Sequence, residues 1–409
     1  MTAVSIFSGI CCGEKSIVTR LVSDTGYKLM NDSDIVSEAS TLSGIPPQKV
    51  KRAFSAKTSV FNKFTHERER SIAYVKLALA QILSEENLVI RGFISHLIPK
   101  EITHVLRVCL IADMAFRIQT AIHGHNLSAS DAVRFIRKGD EDAAAWVHGL
   151  MEVNDPWDPV LYDMLLPTDK PGQTQVVERI REGMKNEAVK ATARSKRAVE
   201  DFLLSAQVEV RLVKEGHNVG VEAKNGDITL TINKHVLMLN RLEEELIHIV
   251  SQVPGVKSAK VDVGKGFHQA DIYRKHDFET PSKVLLVDDE REFVETLSER
   301  LLMRDMGSAV AYDGESALEL IEMDEPEVMI LDLRMPGIDG IEVLKRVKQT
   351  NPEIEVIILT GHGSEADRET CMKLGAFAYL QKPVDIDNLS RTIKKANEKI
   401  RQRKASGER

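Results

Sequence analysis

Val284-Leu285-Leu286-Val287-Asp288-Asp289-Glu290 and Val328-Met329-Ile330-Leu331-Asp332 decide the fold of the C-terminal part of this chain. Each is an unbroken apolar run that ends abruptly in carboxylates. A run with no polar alternation reads as a strand covered on both faces, as in a parallel sheet. Further strand-like runs lie at Ala309–Tyr312, Val356–Leu359 and Ala376–Leu380, with helical spacing between them. Strand and helix thus repeat five times from Lys283 onward, and the last helix starts near Ile386. This alternation predicts an α/β domain with a five-stranded parallel sheet.

The carboxyl ends of neighbouring parallel strands converge on one crevice. Asp288 and Asp289 follow the first strand and Asp332 follows the third. Three carboxylates in one crevice repel each other unless a hard cation joins them, and Mg²⁺ suits such oxygen ligands. Thr360 ends the fourth strand with a hydroxyl, and Lys382 follows the fifth with a positive charge. The set fits phosphoryl transfer to a carboxylate, with Asp332 as nucleophile. Mg²⁺ and Lys382 would neutralise charge on the phosphoryl oxygens. Thr360 would then turn to hydrogen-bond the new group and act as a switch.

Val284–Glu290, Asp332-Leu333-Arg334-Met335-Pro336-Gly337-Ile338-Asp339-Gly340, Thr360-Gly361 and Tyr379-Leu380-Gln381-Lys382-Pro383 resemble, in order, the motifs of bacterial response-regulator receivers. The resemblance implies a flavodoxin-like domain over 283–409, phosphorylated by a sensor histidine kinase or phosphotransfer protein. It also implies Mg²⁺ held by Asp289, Asp332 and the backbone carbonyl of Arg334, with Asp288 acting through a water. Tyr379 would be an aromatic switch.

The 409 residues are too many for one ordinary core and suggest two to four domains. A net charge of −7 gives no broad electrostatic reason to bind nucleic acid or an anionic membrane. The four cysteines, Cys11, Cys12, Cys109 and Cys371, have neither C-x-x-C nor zinc-ligand spacing, so a reduced, cytoplasmic chain is expected. No signal peptide is visible, and no apolar run approaches the roughly 20 residues of a membrane span.

At the other end of the chain, Val4–Phe7 reads as a strand, Ser8–Gly13 as a turn and Lys15–Asp24 as a helix. The turn nearly fits G-x-x-x-x-G-K-[ST], with Gly9, Gly13, Lys15 and Ser16, but Glu14 stands where the second glycine belongs. That glycine lets backbone amides approach phosphates, and a carboxylate there repels them. Leu88–Ile90 and Val105–Ile111 read as further strands. Arg91, Arg117 and Arg137 are candidate phosphate clamps.

Gly26–Leu29, Val89–Gly92, Arg107–Ala112, Ala132–Asp140 and Asp158–Asp163 resemble the cytidylate-kinase-like family over residues 1–181. The resemblance implies a P-loop nucleotide-kinase-like fold that binds ATP or another nucleotide and acts on CMP or dCMP. Two departures bear on catalysis. Glu141-Asp142-Ala143-Ala144-Ala145 stands where the family carries lid arginines, and Pro167 where it carries an asparagine. Loss of guanidinium groups that balance phosphoryl charge slows such chemistry by orders of magnitude. His123-Gly124-His125 reads as a polar loop without a third metal ligand, and Cys11-Cys12 as small turn residues.

Residues 182–265 read as a helical connector, from Glu182 to about Ala206, and a small α+β unit. Val219–Ala223 and Ile228–Ile232 flank Asn225-Gly226, a strong hairpin signal. A helix over Asn240–Val253 and a strand over Ala259–Val263 follow. This order, with Gly226–Leu230 and Val253–Ala259, resembles a BON domain over 196–265, which implies a membrane- or ligand-binding module. Residues 266–282 read as a linker.

The expectation is a two-component response regulator whose Asp332 controls a kinase-like domain with weak or no catalysis. One alternative is an active cytidylate-like kinase gated by the C-terminal domain. Another is a scaffold or membrane-associated adaptor built on the BON-like unit, with a homodimer as its assembled form. Nothing resembles a helix-turn-helix, and the basic end Arg401–Lys404 reads as a solvated helix terminus.

Overall fold

The computed structural model describes residues 3–236, 238–268, 273, 283–361 and 363–406. The chain forms two compact units, one of residues 1–58 and 68–274, the other of residues 59–67 and 275–409.

The first unit opens with β1 (Ala3–Ser8), α1 (Glu14–Thr25), β2 (Lys28–Asn31), α2 (Asp32–Ser43) and α3 (Pro47–Arg52). The short α4 (Asn62–Thr65) belongs to the second unit. There follow α5 (Glu67–Ile82), β3 (Leu88–Arg91), β4 (Val105–Ile111), α6 (Met114–His125), α7 (Ala129–Met151), β5 (Met164–Pro167) and α8 (Gln173–Met184). The five strands form a parallel sheet in the order β2-β3-β1-β4-β5. β1 lies at its centre, so Val4 and Ile6 are completely buried on one face and Phe7 is buried on the other. The loop after β1 therefore opens where a doubly wound sheet presents its ligand crevice.

The expected helix over Glu182–Ala206 is broken. α8 ends at Met184, a 3₁₀ turn covers Glu187–Val189, and α9 (Ala193–Lys214) starts afresh. Thr192 caps α9: its hydroxyl accepts from the Ser195 N–H at 3.1 Å, and the Ser195 hydroxyl accepts from the Thr192 N–H at 2.9 Å. Lys- and Glu-rich composition gave no sign of this stop.

After α9 come β6 (Gly220–Lys224), β7 (Asp227–Ile232), α10 (Leu239–Ser251) and β8 (Ser258–Val263). β6 and β7 pair antiparallel, and β8 joins β7 in parallel. Asn225 and Gly226 turn the hairpin with φ of 56° and 91°, the positive values a type I′ turn demands. α9 serves two cores. Val199, Phe202, Ala206, Val210 and Val213 pack with α5 and its neighbours, whereas Val208 and Leu212 pack on the small sheet. The expected linker lies mostly outside the described residues. Its described part adheres to the small sheet, since Phe267 and Tyr273 pack against that core.

The second unit comprises α4, β9 (Val284–Val287), α11 (Arg291–Leu302), β10 (Ser308–Ala311), α12 (Gly314–Met323), β11 (Val328–Leu331), α13 (Gly340–Thr350), β12 (Glu355–Thr360), α14 (Glu365–Lys373), β13 (Ala378–Gln381) and α15 (Ile386–Ser406). Its parallel sheet has the order β10-β9-β11-β12-β13. Every residue of β9 and β11 is buried. Strand order reverses between them, which places a crevice at their carboxyl ends.

The basic end is not simply solvated. Glu355, fully buried at the start of β12, pairs with Arg403 and with Lys399 at 2.9 Å. Among the described residues, no helix is long and apolar enough to cross a membrane.

Candidate functional site

β9 delivers Asp288 and Asp289 to the crevice of the second unit, and β11 delivers Asp332. One carboxylate oxygen from each lies within 4.8 Å of the others, close enough for a single cation. Asp288 and Asp332 are buried, while Asp289 faces solvent. The Leu333 N–H donates to Asp332 Oδ1 at 2.7 Å, and the Glu290 N–H donates to Asp288 Oδ1 at 3.0 Å. These bonds fix both rotamers and leave the other oxygen of each facing the crevice.

Lys382, just past β13, enters from the side. Its ammonium lies 2.7 Å from Asp288, 2.9 Å from Glu290 and 3.5 Å from Asp332. It also sits 4.4 Å from the centre of the Phe293 ring. Burial works to lower the Lys382 pKa, and the bonds to Asp288 and Glu290 outweigh it, so the net shift is upward. Burial raises the Asp288 pKa, against the opposing pull of Lys382.

The loop after Asp332 turns back so tightly that Gly340 packs on it. A Cβ on Gly340 would lie 2.1 Å from the Asp332 carbonyl oxygen. Arg334 is in this loop, with its side chain 3.8 Å from Asp367. Thr360 is completely buried at the end of β12. The Tyr379 ring lies along Gly363 and the Thr360 methyl, and its buried hydroxyl has no hydrogen-bond partner among the described residues. Burial raises the pKa of that hydroxyl.

In the first unit, the loop from Gly9 to Gly13 leads into α1. Gly13 holds a φ of 76° at the helix N-cap, and Ser16 donates to its carbonyl at 3.0 Å. Lys15 and Ser16 are exposed. Glu14 puts a carboxylate in the first turn of α1, the helix end that favours anions. Arg117 is not free to grip a phosphate. Its guanidinium pairs with Asp140 at 3.0 and 2.6 Å and donates to the Ile10 carbonyl at 2.8 Å. Ile10 packs beside Ala132 and Ile136 of α7. Arg91 ends β3 half-buried, and Arg137 points to solvent from α7.

The stretch where lid arginines were expected is part of continuous α7. There Asp142 accepts from the Ala56 N–H at 2.7 Å. Where the crevice of this sheet opens, Phe7 stacks on Trp157, with ring centres 5.4 Å apart, and meets His96 at 4.4 Å. Burial pulls the His96 pKa down to about 4. His123 and His125 lie in the last turn of α6 rather than in a loop. All four cysteines are buried, and burial raises the Cys12 thiol to about 11, so neither turn cysteine is an activated thiolate.

Residues 284–394 match the family model of the response regulator receiver domain. The C-terminal unit carries a receiver domain. Residues 3–170 match the model of the cytidylate kinase-like family. The transcriptional regulatory protein CpxR of Escherichia coli strain K12 is 46% identical over 102 residues, covering 25% of this chain and 43% of CpxR. The response regulator MprA of Mycolicibacterium vanbaalenii is 35% identical over 109 residues, covering 27% of this chain and 47% of MprA. The chain spans less than half the length of these curated relatives. Among solved structures, the receiver domain of the Francisella response regulator 1452 is 32% identical, with a TM-score of 0.28, covering 29% of this chain and 98% of that one.

Two receiver residues at the crevice escaped the sequence reading. Glu290 and Phe293 both engage Lys382. Glu290 directly follows the paired aspartates, and that adjacency was the available signal. The buried carboxylate of Asp32 in the first unit was also missed. It accepts from the N–H groups of Phe93 and Ile94 at 3.0 and 3.1 Å.

Proposed function

We propose that this chain is a two-component response regulator that takes a phosphoryl group on Asp332 from a sensor histidine kinase or phosphotransfer protein. The observation that carries the reading is the meeting of Asp288, Asp289 and Asp332 within one cation's reach, with Lys382 in the same crevice. Asp288, Asp289, Asp332 and the Arg334 carbonyl would hold Mg²⁺, which supplies charge neutralisation to the transferring group. An Asp332 oxygen attacks phosphorus, the bond to the donor nitrogen breaks, and Lys382 moves from Asp288 and Glu290 toward the new phosphoryl oxygens. Thr360 and Tyr379 are the switch residues in this reading. Gly363 leaves room beside both of them.

The regulated element is the cytidylate-kinase-like domain, with catalysis weak or absent. Glu14 at the N-terminus of α1, the engagement of Arg117 by Asp140, and the aromatic stack at Phe7 and Trp157 all oppose phosphate binding. ATP or another nucleotide remains its candidate ligand. We read residues 196–265 as BON-like, on the order helix, hairpin, helix and strand, and place the protein in the cytoplasm.

Incubation with a small acyl-phosphate donor and Mg²⁺, followed by phosphate-affinity electrophoresis, tests the receiver reading. The wild type should shift and Asp332→Asn should not; a shift that persists in Asp332→Asn sinks the assignment. ATP-dependent phosphorylation of CMP by the full chain at an ordinary kinase rate would favour the gated-enzyme reading instead.

A further inference from the structure

Residues 59–67 pack as part of the receiver unit, although they precede β9 by more than two hundred positions in the chain. Three contacts define how they are held. The Ser59 hydroxyl donates to the carboxylate of Asp324, which is buried just after α12. Phe64 of α4 lies directly on Gly307, so close that a Cβ on Gly307 would be 2.2 Å from the ring. Glu67 pairs with Lys283, whose ammonium is also 3.8 Å from Asp324. Gly307 has no positive φ, so no backbone requirement selects glycine there. The approach of Phe64 does.

Lys283 immediately precedes β9 and Gly307 immediately precedes β10, while Asp324 lies in the turn before β11. All three mark the amino ends of the strands. Asp332 sits at the carboxyl end, separated by the length of β11, roughly 13 Å. The contact set joins a ring seated on a bare backbone to two charged groups removed from water. This is the anatomy of specific recognition rather than chance apposition.

We propose that the amino end of the receiver sheet is an interaction surface whose partner is this chain's own segment 59–67. The segment completes the receiver from outside its contiguous sequence. It stays docked whichever state Asp332 is in, and the proposal does not rest on phosphotransfer. Lys283 and Asp324 are engaged by the docked segment, so that end of the sheet is closed to an external partner.

Hydrogen–deuterium exchange on the full chain tests this. In the wild type, amides of residues 59–67 and 306–308 should be protected. Phe64→Ala should raise exchange at both places at least tenfold while β11 and β12 stay protected. Gly307→Val should do the same by steric exclusion. The double variant should lose no more than Phe64→Ala alone, because the clashing ring is gone. Beryllofluoride with Mg²⁺ should leave the protection of 59–67 unchanged. Segment amides that exchange freely in the wild type, or residues 306–308 indifferent to Phe64→Ala, would overturn the proposal. Loss of segment protection on adding beryllofluoride would overturn its independence from Asp332.

Discussion

The ammonium of Lys382 lies 2.7 Å from the Asp288 carboxylate and 3.5 Å from Asp332, so the lysine favours the first strand's acid over the third's. Glu290, which is largely exposed, adds a second hold at 2.9 Å. An exposed ion pair is worth up to about 1 kcal/mol, which corresponds to about fivefold in a rate. Glu290→Gln should therefore speed phosphorylation of Asp332 by a small phosphodonor by at most about fivefold. Lys382→Ala removes charge stabilisation from the transferring group and should slow it by about 10²-fold. Single-turnover labelling measures both rates.

Asp32 supplies a pH dependence in the first unit. Burial pushes its pKa up to about 6, despite the two backbone N–H groups that favour the ionised form. A raised carboxyl pKa favours the fold when the group is protonated. This contribution is fully present below the unfolded value, near pH 4, and is lost as pH rises through about 6. Against Asp32→Asn, the wild type should gain roughly 3 kcal/mol between pH 7 and pH 4. Denaturant midpoints of the two proteins across that range provide the check, and parallel curves would contradict it.

Gly92 makes the same carboxylate sensitive to its surroundings. Its φ is 117°, and a Cβ there would lie 2.2 Å from the Asp32 carboxylate. Gly92→Ala should cost about 1–3 kcal/mol from backbone strain alone. The clash with Asp32 adds to that. Thermal unfolding of Gly92→Ala in the wild type and in an Asp32→Ala background separates the two effects, because the second background lacks the carboxylate that the Cβ would meet.

The last helix of the receiver is tied down by charge. Lys399 and Arg403 are the cations paired with the fully buried Glu355. Removing both leaves a buried carboxylate short of its partners, which should destabilise the receiver by about 3 kcal/mol. Adding Glu355→Met to Lys399→Ala/Arg403→Ala should recover most of that loss. Urea unfolding followed through receiver amides would reveal whether it does.

The receiver was largely legible in the sequence because its strands are unbroken apolar runs and its site residues sit at their ends. Position along a parallel strand already fixes which end a side chain reaches. The contacts that escaped the reading join elements distant in sequence. Arg403 looked like a solvated helix end because the acid it meets, Glu355, is on another element. Arg117 looked like a phosphate clamp because nothing local announced that Asp140 would occupy it. The stop between α8 and α9 was invisible because Lys, Glu and Ala suit a helix on either side of it. Residues 59–67 carry no local mark of the unit they join.

α9 presents one face to each of two cores, with Phe202 and Val210 on one and Val208 and Leu212 on the other. The kinase-like sheet and the three-stranded sheet therefore share a wall. Neither can be excised cleanly, because a cut at residue 181 takes Phe202 and Val210 from the kinase-like core and a cut at residue 215 takes Val208 and Leu212 from the three-stranded sheet. The two should melt in a single calorimetric transition, and a bulky substitution at Val208 should loosen the sheet it touches and also the one behind it.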